Sequence, residues 1–266
     1  MIDSHVHINR EEFDEGRAEV LDRARQAGVT CFLNVGYDLA TSVESMELAA
    51  AHPDILATVG IHPHDALHLA DETGKMTTSG TNTLAQLQEL VAAPRVVAIG
   101  EIGLDFYRDL SPRPAQFAAL TAQLALAEEV DLPVVFHVRD AWSETLAHID
   151  ACGVPARRGV LHSFSGDEYA VAWARERGFL LGIGGPVTYK NSKLPALVAA
   201  AGADMILLET DAPWLPPVPY RGKRNESSYL LHTRDMVAGI LEMDPDEVTR
   251  RTTASFKRMF GDPTTL

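Results

Sequence analysis

Short apolar runs alternate with longer amphipathic stretches along almost the whole chain. The short runs are nearly continuous in apolar residues, which is typical of strands in a parallel sheet covered by helices. They predict eight strands, at residues 1–8, 29–35, 55–61, 96–99, 133–136, 159–161, 179–183 and 205–208. The intervening stretches predict helices at residues 13–26, 39–51, 84–91, 114–129, 144–151, 167–175, 193–200, 229–241 and 245–260.

Two of the predicted helices carry explicit local signals. Behind Pro114, apolar residues recur at spacings of three and four, which puts them on one helix face. These residues are Phe117, Leu120, Leu124 and Ala127. Asp244 followed by Pro245 resembles a capped helix start with proline at the first helical position.

The order of the predicted elements indicates the fold class. Eight strands, each followed by a helix, predict an α/β fold, a single (β/α)8 TIM barrel forming one domain over residues 1–266. The stretch 64–83 is polar, with clustered threonine and glycine. We expect it to be a long, mobile loop over the barrel mouth and not a domain boundary.

The composition narrows the class of protein. Hydrophobic residues make up 46% and charged residues 23%, as in an ordinary soluble globular protein. The formal net charge of −14 repels nucleic acid, so a polyanion has to be held by a local basic cluster or by metal. Two isolated cysteines, no signal-peptide pattern and no apolar run of ~20 residues predict a cytoplasmic protein without a membrane partner. The oligomeric state is left open.

The first predicted strand carries two histidines at a spacing of two. Asp3, His5 and His7 would share one strand face, while the alternate positions are mostly apolar and face the other way. Such a strand is typical of the floor of a metal site. The alternative is an edge strand with a chance pair of histidines, because the H-x-H motif alone is weakly specific.

Polar residues also follow the other predicted strands. In a barrel, the carboxyl ends of the strands form the mouth, where catalytic groups collect. Six of the ten histidines fall at such ends, together with two carboxylates. These residues are His5, His7, His62, His64, Glu101, His137, His162 and Asp211. A chance distribution would put more histidines on helix surfaces, so the pattern favours a metal site.

Six of these residues form the candidate ligand set: His5, His7, Glu101, His137, His162 and Asp211. One catalytic zinc usually takes three protein ligands, so six ligands suit two ions, with Glu101 as the bridge. The mixture of imidazole and carboxylate leaves zinc, magnesium and manganese open. Taken singly, each histidine could be a hydrogen-bonded core residue, Glu101 a turn cap and Asp211 an Asx-turn residue.

A basic run follows the last predicted strand. Arg221, Lys223, Arg224 and Asn225 lie in a loop that would border the mouth, which makes them candidates for binding phosphate. The alternative is a solvated basic loop. Arg139, two residues past His137, could add a further cation.

Taken together, these motifs resemble the TatD family of metal-dependent deoxyribonucleases, within the amidohydrolase-like barrels. The resemblance covers essentially the whole chain. Its motifs lie at residues 3–7 (DSHVH), 60–64 (GIHPH), 100–105 (GEIGLD), 137–139 (HVR), 162–166 (HSFSG), 209–211 (ETD) and 221–226 (RGKRNE).

The resemblance implies a ligand arrangement and an activity. One ion would be held by His5, His7, Glu101 and Asp211, and the other by Glu101, His137 and His162. The implied activity is hydrolysis of phosphodiester bonds in DNA, often as a 3′-exonuclease on single strands or 3′ ends. Two positions depart from the family pattern: Ser227 replaces a proline after the basic motif, and Ser255 replaces an asparagine in the last helix.

The mechanism expected is a two-metal hydrolysis in which Asp211 accepts the proton of the attacking water. His62, His64 and the basic loop would hold the substrate's phosphates. One rival is a binuclear amidohydrolase-like enzyme that cleaves a small amide, ester, lactone or phosphotriester. It is disfavoured because no lysine that could be carboxylated stands near the fourth or fifth strand. The other rival is a metal-binding or partner-binding protein without activity.

Overall fold

A computed structural model describes residues 1–265. Its centre is a sheet of eight parallel strands that follow one another in chain order. The strands are β1 (Ile2–Val6), β2 (Cys31–Val35), β3 (Ile55–Val59), β4 (Val96–Asp105), β5 (Val134–Arg139), β6 (Gly159–Leu161), β7 (Leu180–Ile183) and β8 (Ile206–Leu208). The sheet closes on itself through a parallel bridge between Val6 and Ala212, where the amide of His7 donates to the carbonyl of Ala212 at 2.9 Å. The predicted (β/α)8 architecture is confirmed.

Helices follow the strands and pack around the sheet. They are α1 (Arg17–Gln26), α2 (Leu39–Ala51), α3 (Thr78–Val91), α4 (Arg113–Glu129), α5 (Trp142–Cys152), α6 (Glu168–Arg177), α7 (Leu194–Ala201), α8 (Leu230–Leu241) and α9 (Pro245–Phe260). Side-chain caps start several of them, since Asp38, Asp167 and Asp244 each accept a hydrogen bond from a first-turn amide. No helix within residues 1–265 has the length and hydropathy that crossing a bilayer requires.

The apolar residues divide into two buried groups. The larger one lies between the strands and the surrounding helices. The smaller one contains side chains from all eight strands, and Phe256 and Phe260 of α9 pack against it. Because its members include Ile2, Cys31 and Leu180 from the first residues of their strands, α9 covers the amino-terminal end of the barrel. The carboxyl-terminal end is left for polar groups.

The stretch 64–83 is not the long loop that the sequence predicts. It contains a 3-10 helix at Pro63–His68, an antiparallel bridge between Ala70 and Met76, and the start of α3 at Thr78. The threonine and glycine residues have structural roles here. The hydroxyl of Thr77 accepts from the amide of Gly80, whose Cβ, if present, would lie 1.9 Å from the carbonyl oxygen of Leu69.

Some element boundaries differ from the prediction. Residues 11–13 form a separate 3-10 turn, and α1 begins only at Arg17, after Gly16 with φ 86°. Strands β4 and β5 run several residues further than predicted. Glu101 therefore lies in the middle of β4, and His137 lies inside β5.

Candidate metal centre

Four predicted ligands meet beside β1. The Nε2 atoms of His5 and His7 lie 3.1 Å apart. The Oε2 atom of Glu101 lies 3.5 and 3.7 Å from these two nitrogens, and Oδ1 of Asp211 lies 3.9 and 3.7 Å from them. All four residues are at most 9% exposed. We call these four residues the first donor set.

A second group of donors surrounds the other oxygen of Glu101. Its Oε1 atom lies 2.8 Å from Nδ1 of His137 and 2.7 Å from Nε2 of His162. The two nitrogens are 3.4 Å apart, and Nε2 of His62 lies 3.6 Å from the same carboxylate oxygen. We call Glu101, His62, His137 and His162 the second donor set. Each oxygen of Glu101 therefore faces a different set.

Both sets have donor types and spacings that fit a divalent cation. Nitrogen and oxygen ligands about 2.0–2.2 Å from one zinc ion lie roughly 3–4 Å from one another. The atoms of the first donor set have this spacing, and Oε1 of Glu101 lies slightly closer to His137 and His162, at 2.8 and 2.7 Å. Groups able to hold a metal include His5, His7 and Asp211 in one case and His62, Glu101 and His137 in another. The donor chemistry suits zinc, manganese or magnesium.

Backbone contacts between strands hold these side chains in position. The amide of Asp211 donates to the carbonyl of His5 at 2.9 Å, which fastens the end of β8 to β1. The amide of Glu101 donates to the carbonyl of Gly36 at 2.8 Å. Gly103 permits the close approach of β4 and β5, since a Cβ there would lie 1.8 Å from the carbonyl oxygen of His137.

Burial controls the protonation of His5, His7 and Asp211 in the first donor set. It lowers the pKa of His5 to about 4 and that of His7 to about 3, so both imidazoles are neutral near pH 7. Burial, followed by the nearby charges of Glu101 and Glu209, raises the pKa of Asp211 to about 8. Neutral imidazole is the form that binds metal.

The second donor set is arranged differently. Burial opposes ionisation of Glu101, but the adjacent His162 and His62 outweigh it, so the pKa of Glu101 lies well below its usual range. Burial alone would lower the pKa of His162, yet the Glu101 carboxylate raises it well above the usual value. The pKa of His137 is also raised, against the effect of burial, by hydrogen bonds to Asp105 and Glu101. A buried ion-pair network thus links Glu101, His137 and His162.

Two carboxylates that the sequence did not single out lie directly behind the histidines. Asp105 accepts from His64 at 2.7 Å and from His137 at 3.2 Å. Glu209 is fully buried, accepts from the amide of Ser163 at 2.5 Å and lies 3.6 Å from Nδ1 of His162. The sequence feature that could have identified them is their motif. Asp105 shares the GEIGLD motif with Glu101, and Glu209 shares the ETD motif with Asp211.

The remaining member of the first motif, Asp3, does not join either donor set. It is fully buried and accepts from the amide and the hydroxyl of Thr210 at 2.9 and 2.6 Å. Asp3 therefore ties β1 to the segment that carries Asp211, which helps to orient that ligand.

The residues predicted to bind substrate occupy different surroundings. His62 belongs to the second donor set. His64 hydrogen-bonds to Asp105, which also accepts from His137 of that set. The guanidinium of Arg139 lies over the ring of Tyr107 at 4.6 Å. These side chains border the donor sets on the β3, β4 and β5 side of the mouth.

The basic loop is held mainly by aromatic rings. Arg221 lies over Tyr189 at 4.0 Å and Lys223 over Tyr220 at 5.8 Å, and Arg224 packs over Phe13 and donates to the carbonyl of Glu12. The side chain of Asn225 is fully buried and donates to the carbonyls of Thr210 and Trp214 at 2.8 and 2.7 Å. Asn225 therefore anchors the loop, and its amide group is not exposed to a substrate.

Comparison with known proteins gives the same family over the whole chain. The family of TatD-related DNases matches residues 2–261. The metal-dependent hydrolase YabD of Bacillus subtilis is 38% identical over 261 residues, covering 98% of both chains. The 3′-5′ ssDNA/RNA exonuclease TatD of Cronobacter sakazakii is 38% identical over 266 residues, covering 98% of this chain and 97% of the relative.

Solved structures agree with this match. YJJV, a TatD homologue from Escherichia coli, superposes with a TM-score of 0.88 at 29% identity and covers 99% of this chain and 98% of its own. A TatD-family hydrolase from Entamoeba histolytica shares the fold with a TM-score of 0.84 at 20% identity, covering 98% of this chain and 97% of its own. The fold, family and enzyme class predicted from the sequence are confirmed. The chain belongs to the family of TatD-related DNases.

Proposed function

We propose that the protein is a metal-dependent nuclease that removes nucleotides from the 3′ end of single-stranded DNA. The observation that carries this proposal is the double role of Glu101, whose Oε2 faces His5 and His7 while its Oε1 faces His137 and His162. A carboxylate shared between two groups of imidazoles would suit a pair of divalent ions, one on each side of it.

The residues divide between two ions in this proposal. His5, His7, Glu101 and Asp211 would hold one of them, and Glu101, His137 and His162 would hold the other. When bound, such ions lower the pKa of coordinated water and stabilise charge on phosphate oxygens. His62, 3.6 Å from Glu101, is free to contact either the second ion or a phosphate.

Asp211 is the proposed proton acceptor. Its Oδ1 atom lies within 4 Å of Nε2 of His5 and of His7, on the side of the site that reaches the surface, as its side chain is 12% exposed. A carboxylate beside the attacking water can take the proton that the water loses as it attacks phosphorus. Asp105 keeps His137 and His64 oriented through hydrogen bonds and does not itself face the first donor set.

The cations near the mouth support a phosphate-bearing substrate. A chain with a net charge of −14 exposes Arg139 at the end of β5 and Arg221, Lys223 and Arg224 in the loop after β8. Relatives named as 3′-5′ ssDNA/RNA exonucleases make single-stranded nucleic acid the proposed substrate, DNA or RNA. The cytoplasmic location expected from the sequence stays a prediction.

A direct assay tests the proposal. Purified protein is incubated with a 5′-labelled single-stranded oligonucleotide in EDTA or with magnesium, manganese or zinc. We expect products that shorten stepwise from the 3′ end only when a divalent ion is present. Cleavage in EDTA, or an intact oligonucleotide with every ion, contradicts the proposal.

A parallel screen separates the nuclease from the amidohydrolase-like alternative. The same metal-loaded protein is offered small amides, esters and lactones. The proposal predicts that oligonucleotides are hydrolysed much faster than any of these. The carboxylate of Glu101, where many binuclear amide hydrolases use a carboxylated lysine, supports that order.

A further inference from the structure

An exposed tryptophan borders the first donor set. The Trp214 side chain is 41% exposed, and its ring lies edge-to-face on the ring of His7 with 5.0 Å between centroids. The chain has three tryptophans, and the other two pack in the helical layer. Trp173 is 3% exposed against Phe179, and Trp142 is half-buried against Phe164. Trp214 is therefore the one tryptophan that combines large exposure with contact to a predicted metal ligand.

The backbone of Trp214 is fixed on both sides. Its amide donates to the carbonyl of Asp211 at 2.9 Å, and its carbonyl accepts from Asn225 at 2.7 Å. The exposed ring therefore projects from a backbone that hydrogen bonds hold on both sides. The main-chain contact places Trp214 beside Asp211, the proposed proton acceptor.

Arg10 supports the ring from a neighbouring loop. Its guanidinium lies 4.9 Å from the centre of the Trp214 ring. Its nitrogens donate to the carboxylate of Glu12 at 2.9 and 3.1 Å and to the hydroxyl of Tyr37 at 3.1 Å. Because Glu12 already neutralises the Arg10 charge, Arg10 is better suited to fixing an aromatic surface than to binding phosphate.

We propose that Trp214, held by Arg10, is a stacking site for a nucleobase adjacent to the scissile phosphate. The inference rests on the proposed function and names how the substrate's bases are recognised. Stacking on an aromatic ring accepts any base, because every base has a flat π-face. It also favours single strands, because the bases of a duplex are already stacked and paired.

The test removes the base and the ring separately. kcat/KM is measured on a normal single-stranded oligonucleotide and on two others with one abasic residue, at the 3′-terminal or the penultimate position. For the wild-type protein we expect a loss of about tenfold at one of the two positions. Trp214→Ala should lower kcat/KM about tenfold on the normal oligonucleotide. On the abasic oligonucleotide that the wild type cleaves poorly, Trp214→Ala should have the same kcat/KM as the wild type. Trp214→Phe should keep most of the wild-type kcat/KM on the normal oligonucleotide.

Tyr169 provides a matched control. It is 67% exposed and lies on α6, so Tyr169→Ala removes an exposed aromatic ring outside the proposed site. This variant should behave as the wild-type protein on all three substrates. Equal losses for Trp214→Ala on normal and abasic substrates would overturn the proposal, because they would mean that Trp214 acts only by packing on His7. Metal affinity measured by calorimetry should be the same in Trp214→Ala and in the wild type.

A binding measurement does not depend on turnover. Tryptophan fluorescence is followed while a phosphorothioate-protected single strand, resistant to hydrolysis, is added to metal-loaded protein. The protected strand should quench the fluorescence of the wild type but not that of Trp214→Phe. A fully abasic strand should quench the fluorescence of neither protein. If the wild type cleaves no oligonucleotide with any ion, the proposed nuclease function fails, and this quenching still decides the stacking site. Equal quenching of Trp214→Phe and wild type would overturn it.

Discussion

The two donor sets share Glu101 but differ in the charge of their histidines. In the second donor set, His137 and His162 hydrogen-bond to Oε1 of Glu101 at 2.8 and 2.7 Å, so the charges compensate one another without a cation. In the first donor set, His5 and His7 lie 3.5 and 3.7 Å from Oε2 and are kept neutral by burial. The charges of Glu101, His137 and His162 are therefore compensated within the protein, whereas His5 and His7 are neutral imidazoles, the form that binds a cation.

Replacing the shared carboxylate should produce the largest effect. Glu101→Gln removes one ligand from each donor set and leaves the surrounding imidazoles without their counter-charge, so both ions should be lost. We expect turnover to fall on the order of 10⁴-fold and bound metal, measured by plasma mass spectrometry, to fall towards zero. Glu144→Gln, at an exposed position on α5, is the matched control and should change neither. Retention of both ions in Glu101→Gln would mean that Glu101 is not the bridge.

Replacing Asp211 separates the two sets. Asp211→Asn removes a ligand from the first donor set only, together with the proposed proton acceptor. Turnover should fall about 10²–10³-fold, while one ion per chain is kept by the second donor set. Circular dichroism should show an unchanged fold. If the variant keeps full turnover, Asp211 is not the proton acceptor, and if it loses both ions, the two sets are not independent.

The sequence could predict that these side chains lie close together because parallel strands impose their geometry. Once eight strand–helix units were assigned, the side chains at the strand ends had to meet, and His5, His7 and Asp211 do so within 4 Å. The stretch 64–83 was mispredicted because Gly80 and Thr77 are common both in loops and at helix starts. Only the close contact of Gly80 with Leu69 shows which role applies.

Residues that act through another residue were not predictable in this way. Glu209 has no ligand spacing of its own, and its role depends on the stacking of His5 on His162, whose ring centroids are 3.7 Å apart. Within residues 1–265, Oε2 of Glu209 and the Nδ1 atoms of both histidines are buried without a hydrogen-bond partner. One donor atom of each residue lies within 4.8 Å of the other two, although the residues come from β1 and from the ends of β6 and β8, which a linear pattern does not reveal.

This arrangement predicts a smaller, measurable effect on metal binding. A carboxylate behind a metal-binding histidine fixes the ring so that its other nitrogen points at the metal. Glu209→Gln should weaken metal affinity about 10–100-fold by calorimetry, while kcat at saturating metal stays near the wild-type value. Glu144→Gln again serves as the control. An unchanged affinity would show that Glu209 only fills space behind the two histidines.

The smallest effect concerns the stability of the metal-free protein. Burial raises the pKa of Asp211 from its usual 3.8 to about 8, and the Glu101 carboxylate raises the pKa of His162 against burial. Both groups bind protons more tightly in the folded state, so the free energy of unfolding falls as pH rises through their folded pKa values. His5 and His7, whose pKa values are lowered to about 4 and 3, oppose this only below pH 6.5, the usual pKa of histidine. The Tm in EDTA should therefore drop by a few degrees between about pH 6.5 and 8.

Asp211→Asn and added metal distinguish the two donor sets in this experiment. The variant cannot lose a proton at residue 211, so it should keep only the part of the decline that comes from the second donor set. Added zinc or manganese should reverse the decline in the wild type, because a cation stabilises the deprotonated ligands. A Tm in EDTA that stays level or rises from about pH 6.5 to 8 would contradict the assigned protonation of Asp211. It would also remove the electrostatic contrast between the two sets, since neither set would then need a cation to favour its deprotonated form.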